Sequence, residues 1–235
     1  MEKIYTIPVN EAFDEKKGCP FCRMREKLEK NEIELILGAS MMEPDIRIQT
    51  NEKGFCAAHY RALFSAQKRL PLALMLESHL AEIEKKCRTP KISLKDKTAA
   101  SAENWASFSG RCYVCDRTEF HLGKMFETAC LLWEQDGEFR RKFSAQESFC
   151  LPCYTRLLQT ASAFISKKKR GDFLEQAQEV ELKKIAALKE DISWFCKKFD
   201  YRYADEPWKD SRDAVERTLR VLRGEDTLPP EENKK

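Results

Sequence analysis

Four pairs of metal-ligating residue types, each with two residues between its members, constrain this chain more than any other feature. They are Cys19-Pro-Phe-Cys22, Cys56-Ala-Ala-His59, Cys112-Tyr-Val-Cys115 and Cys150-Leu-Pro-Cys153. Donors at positions i and i+3 turn to one point in a tight knuckle or on the first turn of a helix. Zinc takes four N/S donors in a tetrahedron, so two such pairs close one structural site. Free backbone N–H groups at a helix start also favour thiolate charge. From Cys22 to Cys56 is 34 residues, and from Cys115 to Cys150 is 35. The two halves are offset by 93 residues at the first pair and 94 at the second; Phe55, Tyr60 and Leu63 match Phe149, Tyr154 and Leu157 at 94. Repetition in register predicts an internal duplication. Each copy is expected to close its own site: Cys19, Cys22, Cys56 and His59 in the first, Cys112, Cys115, Cys150 and Cys153 in the second. Two zinc ions per chain follow, with an iron–sulfur cluster as the alternative at the all-cysteine site. With every position filled by protein, a structural role is expected rather than a catalytic one.

Other uses of these motifs are weaker. Cys19-Pro-Phe-Cys22 alone resembles a glutaredoxin-like redox motif, but that fold needs strands nearby and the following sequence reads as helix. Arg23 and Asp116 follow the first and third pairs, which excludes Cys-x-x-Cys-His haem attachment.

Composition narrows the class further. The 235 residues carry 42 Lys+Arg against 39 Asp+Glu, a net charge of +3 that gives no strong electrostatic reason to expect nucleic acid. Only 8 residues are glycine. That scarcity argues against a turn-rich β-sandwich and against glycine-built phosphate loops. The N-terminal apolar segment is too short and interrupted for a signal peptide, and no stretch approaches the ~18 apolar residues of a membrane span. A cytoplasmic location is expected, where reduced cysteines serve as metal ligands or reactive thiols before disulfides.

Apolar periodicity predicts an all-α fold. Helices are expected from Pro20 to Leu37, through Leu72–Cys87 up to Pro90, through Leu122–Trp133 up to Asp136-Gly137, and around Val215, Leu219 and Leu222 before Gly224. The stripe Ile185, Leu188, Ile192, Phe195, Phe199 predicts a long core-facing helix. Strand alternation at Ile4–Ile7 and Ile46–Ile48 is brief. The domain organisation expected is a first metal-binding repeat at 1–89, a linker or surface helix at 90–110, a second repeat at 111–224 and a disordered tail at 225–235.

The remaining candidates have plain structural readings. Cys87, Cys130 and Cys196 read as small buried hydrophobes. His79 reads as a satisfied core residue and His121 as a neighbour of the metal ligands. Lys167-Lys-Lys-Arg170 reads as a turn whose cations suit a helix C-terminus, with nucleic-acid contact as the alternative. Met41-Met42 lies in an expected loop and is assigned to the small core beside the metal.

The residues Ile7-Pro-Val-Asn-Glu-Ala-Phe13, Cys19-Pro-Phe-Cys22, Met41-Met-Glu-Pro-Asp45, Thr50-Asn-Glu-Lys-Gly-Phe-Cys56 and His59-Tyr60 together resemble a bacterial family of uncharacterised helical proteins, a domain of unknown function. The resemblance spans nearly the whole chain. It implies a bacterial cytosolic protein and carries no activity with it. The expected function is a non-enzymatic, zinc-stabilised helical module acting through a protein partner. The alternatives are a thiol redox sensor and a nucleic-acid-binding protein. If the sites are redox-active, charge predicts the order: four thiolates on a dication leave −2 and three leave −1, so the all-cysteine site should oxidise first.

Overall fold

Few glycines and long 3.6-residue periodicities leave helix as the structure this chain can build. The computed structural model describes residues 3–88 and 97–224. Among these are eleven α-helices and no strand. They are α1 Thr6–Asp14, α2 Pro20–Ile36, α3 Pro44–Lys53, α4 Ala57–Ser65, α5 Arg69–Cys87, α6 Lys97–Ser109, α7 Tyr113–Gln135, α8 Gly137–Ser144, α9 Leu151–Phe164, α10 Arg170–Lys197 and α11 Ala214–Arg223. Short 3-10 turns occupy Lys3–Tyr5, Ala39–Met42 and Tyr201–Tyr203. The expected tail at 225–235 and the first part of the expected linker lie outside the described residues.

Local chemistry sets the helix ends. At Gly38, just past α2, a Cβ would lie 2.9 Å from the carbonyl oxygen of Glu34, so the chain can turn there only without a side chain. Pro44 opens α3 in the first turn, where its missing N–H costs nothing. Asp136 caps α8 by accepting the Glu138 N–H at 2.8 Å. The alternating segments Ile4–Ile7 and Ile46–Ile48 are helical or in a 3-10 turn, and the expected loop at Met41–Ile48 is a 3-10 turn followed by α3. Two or three alternating residues are too few to resist helix on both sides.

The chain divides into two compact units: residues 1–25 with 122–235, and residues 26–121. Both boundaries fall inside helices, in α2 and in α7. The division therefore differs from the sequential one, 1–89 followed by 111–224, expected from the spacing of the pairs.

The first unit is built on aromatic rings. Phe21 stacks on Phe126 at 3.8 Å, and Phe13 lies 4.8 Å from Phe139 and 6.0 Å from Phe143. Phe143 in turn meets Phe149 and Phe173, which Trp133 meets edge-on at 5.0 Å. Such ring pairs contribute about 0.5–1.5 kcal/mol beyond area burial. α10 buries Phe173, Ala177, Val180, Glu181 and Leu188. Of the expected stripe only Leu188 is buried; Ile185 and Phe199 are 41% and 76% exposed. Beyond Leu188, α10 meets the segment around Tyr203–Trp208 and α11, whose Arg217 pairs with Asp191 at 3.0 Å; Ile192, Trp194 and Phe195 are only half-buried there.

The second unit has an aliphatic core. Ile36 and Leu37 from the end of α2 pack with Leu63 of α4, Leu72 and Met75 of α5, and Val114 of α7. Phe55, Cys112 and Tyr113 belong to the same cluster, which sets two of the four knuckles directly on the core.

Candidate metal centres

Each of the four pairs opens a helix, and that is how two residues of spacing become one binding point. Cys56 and Cys150 are the N-cap residues of α4 and α9, with β-region dihedrals of φ −73°, ψ 167° and φ −73°, ψ 149°. Cys19 and Cys112 stand directly before α2 and α7. In every knuckle the residue after the second donor gives its N–H to the carbonyl of the first cysteine: Arg23 to Cys19 at 3.2 Å, Tyr60 to Cys56 at 2.9 Å, Asp116 to Cys112 at 3.0 Å and Tyr154 to Cys150 at 2.8 Å. The second donor thus sits in the first helical turn, where N–H groups lack helical partners. One of them, the Cys115 N–H, points at Cys112 Sγ from 3.5 Å.

The structure brings all eight expected donors into two clusters, but not in the expected combinations. Cys19 and Cys22 meet Cys150 and Cys153, whereas Cys56 and His59 meet Cys112 and Cys115. The ligand atoms of each cluster lie within 4.8 Å of one another. Pair one closes with pair four and pair two with pair three, correcting the in-repeat assignment. Helix length gives the reason. The 17-residue α2 carries the chain roughly 25 Å along its axis after Cys19, and the 23-residue α7 roughly 35 Å after Cys112. Each therefore carries the chain away from the knuckle at its start. Each cluster still takes one Cys-x-x-Cys that starts a long helix and one Phe-Cys-x-x-(Cys/His) that starts a shorter one. Each also falls within a single unit.

In the all-cysteine cluster Cys19, Cys150 and Cys153 are buried and Cys22 is half-buried, with Cys22 and Cys150 sulfurs 3.5 Å apart. Two straps hold the knuckles. Glu147 gives its N–H to the Lys16 carbonyl, and its carboxylate accepts from the Gly18 N–H at 3.2 Å and from Lys184. The buried Glu181 accepts the Phe149 N–H at 3.0 Å, fixing the residue before Cys150. Glu181's second oxygen is buried without a hydrogen-bond partner, and burial pushes its pKa up. Gly224, just past α11, lies over the sulfurs; a Cβ there would be 3.5 Å from Cys22 Sγ and 3.7 Å from Cys150 Sγ.

In the mixed cluster His59 is buried and turns Nδ1 toward the sulfurs of Cys56, Cys112 and Cys115, at 3.1, 3.3 and 3.4 Å. Its Nε2 faces Glu29 at 3.8 Å. Gly54 joins the two knuckles, its carbonyl accepting the Tyr113 N–H at 3.0 Å. Its backbone, φ 61° and ψ −153°, is one that side chains rarely adopt, and a Cβ would lie 2.8 Å from His79 Nε2. His79 is the satisfied core residue expected, donating from Nδ1 to the Asn51 carbonyl at 2.7 Å. Cys56 is half-buried and Cys115 is exposed, with their sulfurs 3.8 Å apart.

The donor chemistry fits a soft divalent cation. Sulfurs this close cannot all ionise unaided. Burial and the neighbouring thiols raise Cys19, hydrogen bonds with Cys150 and the other thiols raise Cys153, and partial desolvation with Cys112 and Cys56 pushes Cys115 up to about 12. Cys150, accepting from Cys153 and Cys19, is lowered. A dication would stabilise the thiolates that the sites otherwise suppress, and sets of four sulfurs or three sulfurs with one imidazole nitrogen are those zinc takes.

The other sequence candidates lie as follows. Cys87 and Cys130 are buried, and Cys130 is pushed up to about 12 by burial. Cys196 is exposed, on the part of α10 past its core contacts, and is not the buried hydrophobe expected. Met42 is 74% exposed and plugs no core, because the 3-10 turn that carries it faces solvent. His121 interacts with Arg117 and Glu32, and burial together with Arg117 lowers its pKa. In the basic run, Lys169 donates to the Glu134 carbonyl near the end of α7 and Arg170 to the Ile165 carbonyl that closes α9. Those two cations thus serve helix C-termini. Glu181, Glu29 and Gly224 escaped the sequence reading as site residues because each reaches its cluster from a distant part of the chain; Glu147 stands three residues before Cys150, but its partners Lys16, Gly18 and Lys184 are distant.

Fold and donor sets together define a helical protein with two four-ligand cysteine/histidine clusters. Residues 1–228 match a family described as "Family of unknown function (DUF6062)", and the chain belongs to it. No curated protein and no solved structure matches the chain. No helix among the described residues is long and apolar enough to cross a membrane.

Proposed function

We propose that this chain is a zinc-stabilised helical scaffold: it holds two zinc ions in structural sites and acts by presenting its helical surfaces to a protein partner in the reducing cytoplasm. The observation that carries the reading is the convergence of eight donors into two closed four-donor clusters, each at the N-termini of two helices. Four protein donors leave no coordination position for a substrate, which favours a structural role over a catalytic one. The common knuckle geometry also supports an ancestral duplication of a two-knuckle unit, with partners exchanged between the copies. Zinc is favoured over an iron–sulfur cluster at the all-cysteine site because its mixed counterpart, built on the same knuckles, includes an imidazole.

Elemental mass spectrometry of the purified chain tests this. Two zinc per chain are expected, with loss of cooperative melting after chelation. Metal-free protein with an unchanged melt would refute it, and a brown, iron-containing preparation would reassign the all-cysteine site.

A further inference from the structure

Each cluster has a sulfur pair that bridges its two knuckles, and the two pairs meet solvent very differently. In the all-cysteine cluster the pair is Cys22 and Cys150, 3.5 Å apart; Cys150 is buried, and the Gly224 backbone lies over both sulfurs. In the mixed cluster the pair is Cys56 and Cys115, 3.8 Å apart, and Cys115 is the one exposed residue among the eight donors. Oxidation of thiolates follows access as well as charge, and a second thiolate at hand turns a first oxidation into a disulfide.

We infer that Cys115 and Cys56 form a peroxide-sensitive thiol pair, and that their oxidation empties the mixed site while the all-cysteine site keeps its metal. The inference rests on the zinc reading above. The Cys115 thiolate attacks one oxygen of a peroxide, the O–O bond breaks, and Cys115 sulfenic acid forms with release of hydroxide. The Cys56 thiolate then attacks the Cys115 sulfur, the S–O bond breaks, a Cys56–Cys115 disulfide forms and a second hydroxide leaves. Two thiolates have lost two electrons and the peroxide has gained them. The mixed site is left with His59 and Cys112, two donors where four are needed. This order is the reverse of the one charge alone predicts, because the more negative cluster is also the covered one.

The test uses the full chain loaded with zinc, in a Cys196→Ser background so that the exposed non-ligand thiol consumes no oxidant. Hydrogen peroxide is titrated in while released zinc is read with a chromogenic chelator and thiols are mapped by alkylation and mass spectrometry. The expected result is loss of one of two zinc equivalents together with a Cys56–Cys115 disulfide, with Cys19, Cys22, Cys150 and Cys153 still protected, and restoration by reductant and zinc. A Cys22–Cys150 disulfide appearing first, simultaneous loss of both metals, or no release at peroxide levels that oxidise Cys196 in the unsubstituted chain would each overturn it. Zinc content before oxidant is added judges the metal reading separately.

Discussion

The all-cysteine cluster lies under backbone, its loops held by Glu147 and the buried Glu181, whereas the mixed cluster rests directly on an aliphatic core and leaves Cys115 in solvent. Both use the same knuckle, a cysteine at the helix start and a second donor one turn on. What differs is the surroundings, and those determine how firmly a site holds and what can reach it. Identical ligand spacing therefore does not make equivalent sites.

Removing a ligand puts the comparison to its hardest test. Cys19→Ser should empty only the all-cysteine site, making Cys150 and Cys153 alkylatable while Cys56 and Cys112 stay protected. Structural zinc contributes roughly 10–16 kcal/mol in finger peptides, comparable with or above the stability of a whole domain, so the first unit should lose its cooperative melt. If Cys56 becomes reactive instead, the first pair closes with the second after all. Cys196→Ser, at an exposed position, should shift stability by no more than about 0.5 kcal/mol.

Glycine replacement comes next in size. Gly54 and Gly224 both hold dihedrals that disfavour a side chain, φ 61°, ψ −153° and φ 103°, ψ 172°. Such strain costs about 1–3 kcal/mol. At Gly54 a Cβ would also strike the His79 ring at 2.8 Å, and that ring is pinned by its bond to Asn51; at Gly224 the nearest atom is an ordinary 3.5 Å away. Gly54→Ala should therefore be the more destabilising in denaturant melts of zinc-loaded protein, and should loosen the mixed site selectively. Equal costs would mean that backbone strain alone matters.

Glu181 tests the other side. Glu181→Leu strands the buried Phe149 N–H and should cost about 1–3 kcal/mol, with faster metal loss from the all-cysteine site. Glu181→Gln keeps an acceptor for the Phe149 N–H, so it should hold the all-cysteine site better than Glu181→Leu by the same melt. A Gln variant as damaging as the Leu variant would show that accepting the Phe149 N–H is not what Glu181 contributes.

The long helices α2, α5 and α7, the last helix α11, and the residues that gather in the two clusters were legible in the sequence because both depend on spacing within a few residues. Cys19 to Cys22 is a local fact, as is the apolar period along Leu122–Trp133. The combination of knuckles was not local. Four pairs can join in three ways, and only the uninterrupted lengths of α2 and α7 bear on whether the pair that opens each of those helices closes with the next pair along the chain. The α10 stripe failed for a related reason: periodicity reports which residues share a face, and only tertiary structure says whether anything lies against it. Gly54 stood in the recognised motif, yet nothing in the sequence placed His79 beside it.

The smallest expected effect concerns Glu147, whose carboxylate joins the Gly18 N–H and Lys184 at the all-cysteine knuckles. Burial alone would raise its pKa, but Lys184 and the Gly18 N–H outweigh burial and hold it below the ordinary 4.5. A depressed folded pKa means a contribution fully present above about pH 4.5 and lost as pH falls through the lower folded value. Since the carboxylate is 42% exposed, the contribution is that of a surface pair, about 0–1 kcal/mol. Glu147→Gln should therefore be slightly less stable than the parent at neutral pH, with the gap closing in acid. Acid also protonates thiolates and releases metal, but both proteins carry the same ligands, so that common effect drops out of their difference. Followed by site-resolved alkylation during acidification, the variant should lose the all-cysteine site at slightly higher pH, while the mixed site, which Glu147 does not touch, should empty at the same pH in both. If both sites shift together, Glu147 acts on the stability of the whole chain and not on the knuckles it straps.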